Sequence, residues 1–185
     1  LKADSIFYQA GLKEIVLHHG SYHNQQPKQV YEHDKEKLCE MRGILDEEGI
    51  DVILRPETMG KIAVFGTLDE LLQLSKDIPG VQPCIDWAHL HARRGDGSFN
   101  SYDEFAEALQ AVKTALGEDG LHSLHCHLSG IEYTKRGEKK HLPLNRADMQ
   151  YQALLQALID FDAAGTIAIE APEPFHVADC LTIQA

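Results

Sequence analysis

Short apolar runs alternate along this chain with segments of helical spacing, and each run stops at a polar residue. The runs lie in EIVLHHGS, DVILRPET, VQPCIDWAHLH, HSLHCHLSG and TIAIEAPEP. They predict strands over residues 14–17, 52–54, 82–85, 123–127 and 166–170. Between them the spacing predicts helices. A helix end over residues 2–11 is closed by Gly11, and a helix over 34–48 is closed by Gly49 as a C-cap. Thr67 caps a helix that runs through Lys76, with Asp69 and Glu70 near its positive end. Ser101 caps a helix over 103–116, where Phe105, Leu109, Val112 and Leu116 recur at i, i+3/i+4. A further amphipathic helix covers 147–163, with Gly165 ending it. Residues 21–27, 93–98 and the charged stretch up to His141 are expected as loops.

Strand–helix alternation of this kind predicts a parallel sheet with helices outside it. The expected architecture is an α/β fold, a (β/α)8 TIM barrel represented by about its last five βα units. Eight units need around 250 residues, and this chain has 185. The expectation is therefore one domain over residues 1–185, with three units expected before Leu1. An incomplete barrel exposes sheet edges, which associate readily. This predicts a homo-oligomer or a separately ordered N-terminal segment.

What ends each strand is a potential metal ligand: His18, Glu57, Asp86 with His89 three residues on, His127 and Glu170. Strand side chains alternate, so His18 shares a face with Val16, His127 with His125, and Glu170 with Ala168 and Thr166. Donors of that parity point into the barrel mouth, where C-terminal strand ends carry chemistry. Glu57 suits a bridge between two cations; the alternative is a salt bridge to Arg55 or Arg93. Asp86 could equally be a helix N-cap. His125 is expected as a hydrogen-bonded core histidine or one that orients a ligand. His19 and His23 are expected in a loop, His122 in solvent, and His33, His91 and His176 at the surface.

Composition changes the picture in three places. Eleven histidines are many for this length, and imidazole is the commonest transition-metal ligand. Mixed N and O donors favour zinc, with manganese or iron next, over magnesium and calcium. The number of donors implies two ions, or three. The net charge of −12 argues against a general polyanion binder, since non-specific nucleic-acid affinity is mostly phosphate neutralisation. Two basic clusters stand out against it, Arg93 with Arg94, and Lys135, Arg136, Lys139 and Lys140. Each is either a solvated loop or a phosphate contact. Cys39, Cys84, Cys126 and Cys180 are scattered without a CxxC pair, which points to a reducing, cytoplasmic setting. No apolar run approaches the roughly 18 residues of a membrane span.

In order and spacing, LHHGS, RPET, IDWAH, HCHLSG, KKHLPL and IEAPEP resemble the metal-binding series of the endonuclease IV family. These are apurinic/apyrimidinic endonucleases (family 2) of the xylose-isomerase-like TIM-barrel superfamily. The resemblance runs from about His18 to Glu170. It implies that His18 and Glu57 hold one ion together with a His further upstream. Glu57, Asp86, His127 and Glu170 would hold a second, and His89 and His141 a third. The implied activity is metal-assisted in-line displacement at the phosphodiester 5′ to an abasic site in DNA, with Glu57 and Glu170 at the chemistry. By their place in the two basic clusters, Arg93, Arg94, Lys139 and Lys140 are the candidate substrate contacts. One departure stands out: Lys139 occupies a position where the family pattern has an Asp, which implies a weaker third site. A sugar isomerase or epimerase of the same superfamily is the alternative. Its single ion needs two Glu, an Asp and a His, with the glutamates moving protons, and it has no use for His18, His89 or His141 as ligands.

Overall fold

A computed structural model describes residues 11–184; the helix expected before Gly11 lies outside them. Five strands run parallel. β1 (Glu14–Leu17) pairs with β2 (Ile53–Pro56). β3 (Cys84–Asp86) pairs with β4 (Leu124–Leu128), and β4 with β7 (Gly165–Ile169). Isolated bridges Leu54–Val81 and Glu57–Cys84 join β2 to β3, so the order is β1-β2-β3-β4-β7. This is a curved segment of the expected barrel wall.

Strand parity sorts the side chains onto two faces. Leu54, Ile85, Leu124, Cys126 and Leu128 face outward into the helix layer and are buried there. Beside β1 and β2 the cover is α1 (Pro27–Glu47) and α2 (Leu68–Asp77), with Leu38, Leu45, Leu71 and Leu74 closing the core. Beside β3, β4 and β7 it is α4 (Tyr102–His122) and α5 (Tyr151–Asp160), with Phe105, Leu109, Val112 and Leu154. A last helix, α6, spans His176–Gln184.

The boundaries differ from expectation in instructive ways. α1 begins at Pro27, seven residues before the expected start at Asp34. Proline is well placed at a first helical position, and Gln26 and Gln29 cap the end reciprocally. α4 continues to His122, past a break at Gly117 (φ 74°, ψ −170°); the helix expected to end at Leu116 stops where that break falls. α5 is shorter than the expected 147–163: after a 3-10 turn over Leu144–Arg146 the backbone is extended at Ala147, and the helix spans only Tyr151–Asp160.

The charged stretch read as a loop is an antiparallel hairpin, β5 (Gly130–Thr134) and β6 (Gly137–Leu142), with a bulge. Gly137 turns it at φ 94°, and a Cβ there would run into the Gly60 carbonyl oxygen. A short helix, α3 (Trp87–Arg94), follows β3 directly. The hairpin packs on it through Ile131 against Ala88 and Ala92. Together they stand on the C-terminal rim.

Candidate metal centre

Backbone pairing fixes each strand-end donor. The Glu57 N–H donates to the Leu17 carbonyl (2.9 Å) and that of Thr58 to the Cys84 carbonyl (3.0 Å), which locks the end of β2 between β1 and β3. The Thr58 hydroxyl in turn accepts from the Asp86 N–H (2.9 Å). Asp86 caps α3, its Oδ1 accepting from the His89 N–H at 2.7 Å. The N-cap reading of Asp86 therefore holds, and its other oxygen, Oδ2, makes no hydrogen bond among the described residues.

Glu57, fully buried, lies at the centre. Its Oε2 is 2.7 Å from His18 Nε2, and its Oε1 is 3.1 Å from His127 Nδ1 and 3.3 Å from His89 Nδ1. Across from it, Glu170 Oε1 is 3.2 Å from His127 Nδ1, and its Oε2 is 3.6 Å from His141 Nε2. One donor atom from each of Glu57, Asp86, His127 and Glu170 lies within 4.8 Å of the others. The same holds for Asp86, His89 and His141. The two groups share Asp86. All seven residues read as ligands from the sequence thus meet in one region, His18 at its exposed edge with 65% of its side chain accessible.

Carboxylates this close repel one another, and Glu57 and Glu170 are driven in opposite directions. Burial alone would raise Glu57, but hydrogen bonds from His127 and His89 hold it well below the usual carboxylate range. Burial raises Glu170, and Asp86 and Glu57 add to this against the opposing pull of His127. Burial disfavours charge on both imidazoles, yet Asp86 with Glu57 lifts His89 to about 9, and the Glu57 hydrogen bond raises His127.

The donor set fits a transition-metal ion. Asp86 Oδ2 and His89 Nε2 are buried without a hydrogen-bond partner among the described residues, a costly state that a cation relieves. The imidazoles are also braced as metal ligands usually are. His89 Nδ1 lies 2.8 Å from the Thr58 carbonyl oxygen, and His141 Nδ1 lies 2.6 Å from the Ser129 hydroxyl. Sequence reading missed Thr58 and Ser129, because both act through contacts across strands that no local pattern marks. Glu138 of β6 was missed too; its Oε2 is 3.5 Å from His89 Nε2.

The basic residues assigned to substrate have partners inside the protein. Arg93 Nη1 donates to the carbonyls of Met59 (2.9 Å), Lys61 (2.8 Å) and Val64 (3.0 Å), so this guanidinium pins a loop. Arg94 is 3.4 Å from Glu104. Lys139 pairs with Glu132, and Lys140 is 3.5 Å from the same carboxylate. His91, expected at the surface, is fully buried. Its Nδ1 is 3.0 Å from the Ser98 carbonyl oxygen and its Nε2 2.9 Å from Asp148. His19 lies in a loop, as expected, and is held there 3.0 Å from Asp34 and edge-on to Phe65.

A parallel barrel wall with carboxylates and imidazoles gathered on its C-terminal rim defines a class, the barrels that carry their chemistry at strand ends. The model of the xylose isomerase-like TIM barrel family matches residues 5–179, and the chain belongs to that family. An uncharacterized protein of Methanocaldococcus jannaschii is 41% identical over 160 residues, 86% of this chain; the chain spans 58% of that relative's length. Among solved structures, a D-tagatose 3-epimerase-like protein is similar with TM-score 0.74 at 18% identity, over 98% of this chain and 64% of that one. The IOLI protein, crystallised with a zinc atom, is similar with TM-score 0.67 at 17% identity, over 99% and 63%. Endonuclease IV from Thermus thermophilus is similar with TM-score 0.59 at 21% identity, over 94% and 60%. At these identities the likeness is one of fold. Among the described residues no helix is long and apolar enough to cross a membrane.

Proposed function

We propose that this chain carries the multi-ion centre of a metal-dependent phosphodiester hydrolase of the endonuclease IV type, acting on DNA at abasic sites. The observation that carries this reading is the surplus of donors. Glu57, Asp86, His127 and Glu170 already suffice for one ion, and Asp86 is shared with a second group that adds His89 and His141. His18 adds a further imidazole on the free side of Glu57. A single-ion enzyme has no use for these additions.

In this reading Glu57, Asp86, His127 and Glu170 would hold one ion, and Asp86, His89 and His141 a further one. Bound zinc, or manganese or iron in its place, would supply Lewis acidity toward phosphoryl oxygens and a nucleophile at neutral pH. Glu57 keeps a full negative charge against His127 and His89. Glu170, whose carboxyl is raised, is the group suited to hold or release a proton at Oε1 or Oε2.

A sugar epimerase is the second reading. It is favoured by the engagement of Arg93, Arg94, Lys139 and Lys140 within the protein, which leaves the rim short of free cations for a phosphate backbone. Two measurements decide between them. The first is elemental analysis of the protein loaded with zinc or manganese. The second is cleavage of a duplex carrying one abasic site, with His127→Ala as control. More than one ion per chain and an incision that the control lacks are expected. One ion per chain with an intact duplex would overturn the hydrolase reading in favour of the epimerase.

A further inference from the structure

Below the rim the inward face of the wall continues. By strand parity Cys84 lies one step beneath Asp86, and His125 one step beneath His127. Cys84 is fully buried yet belongs to none of the three apolar clusters, whereas Cys126, on the opposite face, packs into the helix-side core. One donor atom each from Cys84, His125 and His127 lies within 4.8 Å of the others. The rings of His125 and His127 are 5.5 Å apart in an edge-on arrangement.

His125 is braced from behind. Its Nδ1 is 2.5 Å from Glu14 Oε2, and Glu14 is itself held by Arg55, whose Nε donates to Glu14 Oε1 at 3.0 Å. An imidazole whose one nitrogen is fixed by a carboxylate presents the other as a free donor. This carboxylate–histidine pair is the usual support of a metal-bound imidazole.

We propose that Cys84, His125 and His127 form a second, deeper cation site of soft-donor character, suited to zinc, cadmium or cuprous copper. A thiolate with two imidazoles selects such ions over the hard cations that prefer all-oxygen shells. Binding ionises the Cys84 thiol and releases its proton to solvent. His127 belongs to both this site and the carboxylate set above it, so the two sites share a residue. The site needs no substrate and does not depend on the hydrolase reading.

The test uses the full chain with its more accessible thiols removed by Cys39→Ser and Cys180→Ser, titrated with cadmium. The readout is the ultraviolet thiolate-to-metal charge-transfer band. The band is expected to saturate at a single equivalent and to vanish on adding Cys84→Ser. Glu14→Gln is expected to keep the band while weakening binding about 10- to 100-fold, the usual cost of losing an outer-shell partner. His125→Gln leaves the thiol in place and is expected to weaken binding at least as much, which covers the case in which Cys84→Ser does not fold. No band in the parent overturns the proposal, as does a band that survives Cys84→Ser. Glu14→Gln and His125→Gln proteins that titrate like the parent overturn it equally.

Discussion

The inward face of the barrel wall has two polar layers, and they differ in where their partners come from. At the base Arg55 is 2% exposed, and every nitrogen of its guanidinium is used. Nε donates to Glu14 at 3.0 Å and Nη1 to Gln82 Oε1 at 2.9 Å, while Nη2 donates to Glu14 and to the Ser123 carbonyl at 2.8 Å. Charge there is neutralised by the chain itself, and the network ties β1, β2 and β4 to the entry of β3. At the rim, Asp86 Oδ2 and His89 Nε2 have no hydrogen-bond partner among the described residues despite full burial, and three carboxylates converge on His127. Buried polar groups are rarely left this way. In the lower layer Arg55 and Glu14 neutralise each other within the fold, whereas the upper layer leaves buried donors unsatisfied, a state that a bound cation would relieve.

The largest expected effect breaks the lower layer. Arg55→Met keeps length and volume but leaves Glu14 and the carbonyls of Pro83 and Ser123 without their donor. Removing one partner of a buried ion pair costs about 3–5 kcal/mol. Urea unfolding should show a loss of that order. A loss below about 1 kcal/mol would mean that the base network is as dispensable as a surface pair.

The next expected effect falls on the upper layer, and there stability and function should separate. Asp86→Asn keeps an oxygen able to cap α3, because Asn caps about as well as Asp. Unfolding free energy should therefore stay within about 1 kcal/mol of the parent. Ion affinity, measured by calorimetric titration with zinc or manganese, should fall at least about 100-fold, the upper end of what the loss of an outer-shell partner alone costs. If the variant binds ions as the parent does, Asp86 is only a cap, and the contrast between the layers loses its main support.

Much of the upper layer was legible in the sequence because it rests on local regularities. A strand of period two that stops at His18, Glu57, Asp86, His127 or Glu170 places those donors on one face; the five strands form, six of the seven donors fall into two close groups, and His18 lies 2.7 Å from Glu57. What escaped depends on distant partners. Glu14 shares the parity of His18, but its meaning comes from Arg55, 41 residues away, and from His125, 111 residues away. His91 looks like a surface histidine until Asp148, 57 residues on, closes over it. The β5–β6 hairpin carries Glu138, Lys139 and Lys140 where an alternating strand would show apolar positions. It is held by Ile131 on α3 and by Gly137 against Gly60, neither of which a charge count reveals.

The smallest expected effect lies outside both layers and sharpens the contrast by showing what an ordinary charged contact does here. Asp77, at the end of α2, is 2.6 Å from Lys35 Nζ and 2.8 Å from the Tyr31 hydroxyl, both on α1. The Lys35 contact and then that of Tyr31 bring its carboxyl down to about 2. A carboxyl depressed in the folded state stabilises above its ordinary value, and that contribution drains away as pH falls toward the folded value. Unfolding free energy of the parent should therefore decline more steeply than that of Asp77→Asn between about pH 5 and pH 2, the window between the two states' titrations. The two should differ little in the acid limit, where the parent carboxyl is protonated in both states. Parallel pH profiles would show that the bridge between α1 and α2 does no more than an ordinary exposed pair, whose contribution is often too small to measure. A clear difference would make it a clamp on the helix layer of β1 and β2, independent of any ion at the rim.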